Sequence, residues 1–188
     1  MSLNIGGMGC KVGQFIWDDI FIENGIQKDC TFKFSPELRH QGETLKTYFT
    51  ETESGKYKPR TVFFDMDTDA LEFVKSRGQT QFDDSSFLLG QQKVQELYSS
   101  GFYSNGPQYI EAVKEKIRKE VEQCENFNGF MMYSSINRGC GGGFSSLLSQ
   151  VLTDDYPSAK KIGIHLYPNV VKSSNPLEFL NTVLAHDK

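Results

Sequence analysis

Residues 3–25 read LNIGGMGCKVGQFIWDDIFIENG. The first three form a short apolar run closed by Gly6, Gly7 and Gly9. Beyond them Val12, Phe15, Ile16, Ile20 and Phe21 recur at helical spacing until Asn24-Gly25, a C-terminal stop signal. A strand that runs through a glycine turn into an amphipathic helix is the repeating unit of an α/β fold.

The same unit recurs along the chain. Residues 61–65 (TVFFD) read as a buried strand ending in a carboxylate, and a short helix starts at Asp69. Pro107 opens the clearest helix, with Ile110, Val113, Ile117, Val121 and Cys124 on one stripe and Glu115 and Lys119 paired on the solvent side. Residues 130–133 are the next strand, 139–143 (GCGGG) a second glycine turn, and Phe144, Leu147, Leu148, Val151 and Leu152 the next helical face. A strand over 162–167 follows, and then a helix opened by Asn175-Pro176 and carrying Leu177, Leu180, Val183 and Leu184. Only residues 27–60 break the rhythm, and they are expected to form a long irregular loop. The reading is one α/β domain over 1–188: a Rossmann-like, mostly parallel sheet with helices on both faces and the ligand site at the strand C-termini.

Composition narrows the function classes. Twenty Lys and Arg against 24 Asp and Glu give a net charge of −4, so no basic field holds a nucleic acid or an anionic membrane surface. Cys10, Cys30, Cys124 and Cys140 show neither a CxxC nor a disulfide framework, which makes a reducing compartment, the cytoplasm, the default. His40, His165 and His186 stand apart, with no metal-ligand spacing. No run of 18 apolar residues and no leader pattern occurs.

Both glycine turns fall at the same sheet edge in an alternating fold, where helix N-termini present backbone N–H groups to an anion. Neither turn is a Walker A, since no Gly-Lys-Ser/Thr follows, and Gly7-x-Gly9 lacks the third glycine of a dinucleotide fingerprint. A phosphate site of another kind is called for.

Several stretches are similar to the tubulin family, specifically its amino-terminal, nucleotide-binding half, and to the α type more than the β. They are GGMGCKVGQFIWDDIFIENGI (6–26), YFTETESGKYKPRTVFFDMD (48–67), Gly101-Phe-Tyr103, QCENFNGF (123–130), GFSSLL (143–148) and Tyr167-Pro168. The resemblance implies a GTP or GDP site with Mg²⁺. Its first turn falls on Gly6, Gly7, Met8 and Lys11, where Gln is usual in place of both Gly7 and Lys11. Its acidic, metal-side turn falls on Asp65 and Asp67, with Glu usual at the second. Its next loop falls on Lys93, Val94, Gln95 and Glu96, where an acidic residue, two small ones and Asn are customary. The family's GGGTGSG turn becomes Asn137, Arg138, Gly139, Cys140, Gly141, Gly142 and Gly143, with Ser135 retained just ahead. The ribose side falls on Ser174, in place of Thr, and Glu178.

The departures bear on function. Glycines serve a phosphate turn because backbone N–H groups must approach the oxygens closely, sometimes at φ > 0, and Arg138 breaks that pattern. Its guanidinium either fills the phosphate position or binds phosphate itself. Cys140 replaces a hydroxyl donor. Arg138, Lys11 and Lys93 add positive charge where the family recruits Mg²⁺, so they either substitute for the metal or pair with Asp65 and Asp67. The chain also ends at Lys188, where the family continues into its base pocket, catalytic loop and further domains. The expectation is a structural or interaction subunit of a larger assembly, with other protein subunits, tubulin among them, as partners. It would have no catalytic residues of its own, a degenerate GTP site, and a place in the cytoplasm, cytoskeleton or cilium. The alternative is a GTP-binding regulatory module of microtubules.

Overall fold

The computed structural model describes residues 1–34, 45–78, 81–90 and 97–167. The loop at residues 93–96 and the helix opened at Asn175, with Ser174 and Glu178, lie outside the described residues.

Five strands form one parallel sheet: β1 (Ser2–Ile5), β4 (Thr61–Asp65), β5 (Phe87–Leu89), β6 (Gly129–Ser135) and β7 (Lys160–Leu166), in the order β5-β4-β1-β6-β7. The helices are α1 (Gly6–Glu23), α2 (Leu45–Tyr48), α3 (Thr68–Arg77), α4 (Gly106–Glu122) and α5 (Ser145–Asp155). Single π-helical turns, Ser100–Ser104 and Gly139–Phe144, run directly into α4 and α5.

The alternation of strand side chains divides the core in two. Leu3, Ile5, Val62, Phe64, Phe130 and Met132 pack against Ile110, Val113 and Ile117 of α4 and Leu148 and Leu152 of α5. On the other face Phe63 meets Trp17 and Phe21 of α1 and Leu71 and Val74 of α3. Each such side chain contributes about 1.5–3 kcal/mol on burial. This two-sided burial explains why TVFFD reads as an unbroken apolar run rather than an alternating one.

Several polar side chains inside the α1 layer are linked in one network. Trp17 Nε1 donates to Ser2 Oγ (3.0 Å) and Thr61 Oγ1 (3.2 Å), and Asn4 Nδ2 donates to Thr61 Oγ1 (2.7 Å) and to the Val62 carbonyl (3.1 Å). The starts of β1 and β4 are thereby tied to the middle of α1.

Residues 45–60, the described second half of the expected loop, hold more order than a loop. After α2, β2 (Phe49–Glu51) and β3 (Tyr57–Pro59) pair antiparallel, and the hairpin turn is closed by Thr52 N–H to the Lys56 carbonyl at 2.8 Å with Gly55 at φ 72°. The pattern hides it because only Phe49 and Pro59 of the six strand residues are buried, too few to show a period.

Candidate functional site

The chain leaves β1 toward β4 and β5 on one side and later passes through β6 to β7 on the other, so the strand order reverses between β1 and β6. In an open parallel sheet this switch point is where a crevice opens beyond the strand C-termini. Both glycine turns lie there. Gly6, at φ 75°, follows Ile5, the last residue of β1, and starts α1 directly. A Cβ on Gly6 would stand 2.8 Å from the Gly141 nitrogen, so the two turns touch backbone to backbone. A Cβ on Gly9 would lie 2.3 Å from the Tyr133 carbonyl oxygen, which sets how closely α1 approaches β6.

The second turn is built from its own backbone. Gly142 N–H donates to the Arg138 carbonyl (3.0 Å), Ser146 Oγ to the Gly142 carbonyl (2.7 Å), and Ser145 Oγ to the carbonyls of Gly141 and Gly142. Ser135 Oγ donates to the Asn137 carbonyl (3.1 Å), and a Cβ on Gly141 would collide with that hydroxyl. Ser135 therefore shapes the turn from beneath.

Arg138 precedes the π-helical turn with φ 74° and ψ 171°. That region is populated almost only by glycine and costs another residue of order 1–3 kcal/mol. The glycine-type backbone of the family's turn is thus retained with an arginine on it. The residue is exposed, and its N–H donates to Asn137 Oδ1 at 3.1 Å.

Asp65, at the end of β4, is buried. Its Oδ1 accepts from Met66 N–H (2.8 Å). Burial pushes its pKa above the usual carboxylate range. Desolvation, reinforced by the charge of Asp65, holds the Cys10 and Cys140 thiols well above the ordinary value, so both stay protonated. Cys10 Sγ lies 3.3 Å from the Asn4 carbonyl and 3.7 Å from that of Phe64. A Cβ on Gly7 would stand 3.5 Å from Asp65 Oδ2, so the first turn leaves room beside the acidic one. Asp67, the N-cap residue of α3, makes no capping hydrogen bond with its side chain.

The structure therefore brings Gly6, Gly7, Asp65, Ser135, Gly139, Cys140 and Gly141 to one crevice. Met8 is half exposed, and Lys11 Nζ lies 5.8 Å from the ring centroid of Phe73 on α3. As a magnesium corner this donor set fits poorly: Asp65 is buried with Met66 N–H on its Oδ1, and the neighbouring thiols are weak partners for a hard cation. Pattern reading missed Gly101. A Cβ there would stand 1.8 Å from the Gly139 carbonyl oxygen, so the turn before α4 buttresses the phosphate-type turn. The sequence signal was the family-like stretch Gly101-Phe-Tyr103, which gave the glycine no place in the site.

The whole chain, residues 1–188, matches the model of the Tubulin/FtsZ family, GTPase domain. The chain belongs to that family. Among similar proteins are tubulin alpha chain-like 3 of Mus musculus (33% identical over 98% of this chain and 43% of that protein) and the tubulin alpha-2 chain of Homarus americanus (31%, over 98% and 41%). The nucleomorph tubulin alpha chain of Guillardia theta is 32% identical over 98% and 42%. The chain thus spans about two fifths of the length of the curated relatives it matches. For this tubulin-family domain the switch-point crevice coincides with the turns that carry the family's glycines. Among the described residues no helix is long and apolar enough to cross a membrane.

Proposed function

We propose that this tubulin-family GTPase domain acts as a non-catalytic structural or interaction subunit of a larger, microtubule- or cilium-associated assembly, with a degenerate GTP site. The observation that carries the reading is Arg138. It sits at the mouth of the second glycine turn in a backbone conformation suited to glycine, so its long cationic side chain starts where a phosphate would approach. In this reading the guanidinium stands in for the phosphate, and the acidic turn does not recruit Mg²⁺.

A protein partner is supported at the opposite end of the sheet. A mainly apolar groove of about 210 Å³ there is lined by Ile16, Ile20, Tyr133 and Ile162, and Ile162 and Ile164 of the edge strand β7 are 53% and 42% exposed. Exposed apolar surface on an edge strand is characteristic of an interaction face. Tubulin, the partner class implied by the relatives, is the candidate, and cytoplasm or cytoskeleton the corresponding place.

The sign of one change tests the proposal. Arg138→Gly should raise GTP affinity, because it reopens backbone donors at a helix N-terminus to the anion. A loss of about ten- to a hundredfold would instead make Arg138 a phosphate ligand. That outcome belongs to the second reading, a GTP-binding regulatory module. The close contact of Gly6 with Gly141 favours it, since the cradle's backbone is intact.

A further inference from the structure

The groove at the strand N-termini, on the α1 side of the sheet, has a volume of about 210 Å³ and two distinct parts. Its inner wall asks for no hydrogen bond. Trp17 is almost fully buried there, and its Nε1 proton is already taken by Ser2 Oγ (3.0 Å) and Thr61 Oγ1 (3.2 Å), so the indole offers the groove an apolar ring. Ile16, Ile20, Met131 and Ile162 complete that wall. The charged residues of the lining are Arg60 and Lys160, with no Asp or Glu among them, although acidic residues outnumber basic ones 24 to 20 in the chain. Lys160 is exposed at the start of β7 and Arg60 stands just before β4, so in the order β4-β1-β6-β7 the two cations bracket the groove. Among the described residues neither forms an ion pair with a carboxylate. Arg60 Nε donates to the Phe49 carbonyl (3.1 Å) and Nη1 to Cys124 Sγ, which engages two of the guanidinium's roughly five N–H donors.

An apolar wall with a cationic rim is complementary to an amphipathic anion. We infer that the groove is a binding site for a medium-chain alkyl carboxylate, its tail against Trp17 and its head at the rim formed by Arg60 and Lys160. The volume sets the length. At about 30 Å³ for each water-sized group, it holds about seven such groups, the tail of an eight-carbon acid. Burial of the tail supplies the affinity, and the cations supply the preference for a negative head. The site goes beyond the function proposed above. It lies at the other end of the sheet from Arg138, and Ile164, outside the groove's lining, stays exposed for a protein partner.

Trp17 is the chain's only tryptophan, so its fluorescence reports the groove directly. Titrating the full chain with sodium octanoate should give a saturable change with a Kd of about 10 μM to 1 mM, the range for a ligand of about ten non-hydrogen atoms. Affinity should rise about two- to fourfold per added CH₂ from butanoate to octanoate. Octanol and octylamine should bind at least about threefold more weakly than octanoate, because neither brings a negative head to the rim. Lys160→Glu, a change at an exposed position, should weaken octanoate about three- to tenfold and leave octanol unchanged. An absent or non-saturating response to octanoate would overturn the site. So would octanol or octylamine binding as tightly as octanoate, which would make the groove a general apolar surface, or a Lys160→Glu chain that keeps its parent's affinity for octanoate. Tight GTP binding would defeat the degenerate crevice and leave this site standing.

Discussion

Arg138 concentrates the conflict between a family backbone and a changed side chain. At φ 74° and ψ 171° it holds a conformation that Cβ sterics disfavour, and the surrounding contacts, Gly142 N–H on its carbonyl and Asn137 Oδ1 on its own N–H, keep it there. Arg138→Gly should therefore stabilise the fold by about 1–2 kcal/mol, partly offset by the greater freedom of glycine in the unfolded chain. Chemical denaturation measures this directly, and an unchanged or lowered midpoint would mean that the arginine's contacts outweigh its strain. His165 offers a second test. Its Nδ1 lies 2.8 Å from Ser134 Oγ between β6 and β7, and burial lowers its pKa from the ordinary value. Below the unfolded-state value of about 6.5 the unfolded chain takes up a proton that the folded chain refuses. Stability should fall as pH drops through the window between that value and the lower folded one. In His165→Gln this part of the slope should disappear, and a slope that persists would place the titrating group elsewhere.

Among the elements, α1 carries the most demanding fit. Gly9 lets its first turns lie on β6, with the Tyr133 carbonyl oxygen 2.3 Å from where a Cβ would be, and neither partner is a flexible side-chain end that can move aside. Gly9→Ala should cost about 2–3 kcal/mol in denaturant titrations, the upper part of the usual range for overpacking; a cost near zero would show that α1 slides freely on the sheet. The sequence made this unit legible, because an apolar strand, glycines and a 3.6-residue stripe each bear on separate positions of residues 3–25. It did not show that the glycines already belong to the helix, which begins at Gly6. The hairpin of β2 and β3 and the three-residue β5 escaped for a different reason: strands this short contain at most one full alternation. The site was legible as two glycine turns at one edge. The nearness of the Cys140 turn to Asp65 was not, because residues 75 positions apart meet only once the strand order β4-β1-β6 is known. The buttress that Gly101 makes under Gly139 depends on the same tertiary knowledge.

For the molecule as a whole, the two ends of the sheet have different characters. The strand C-termini gather glycines, a buried carboxylate and protonated thiols, whereas the starts of β1, β6 and β7 border an apolar groove with an exposed edge strand. Under the proposed function the first end is a relic of nucleotide chemistry and the second is where the molecule meets its partner. A chain of this kind should release no phosphate from GTP above background in steady-state assays, since no residue here is assigned to activate a water. Turnover that is lost in Asp67→Ala would reverse that assignment. The most direct measurement is the nucleotide content of the natively purified chain, denatured and resolved by chromatography. The account predicts guanine nucleotide well below one per chain, unchanged by magnesium during purification. One GTP or GDP per chain, retained in magnesium and lost in chelator, would contradict it.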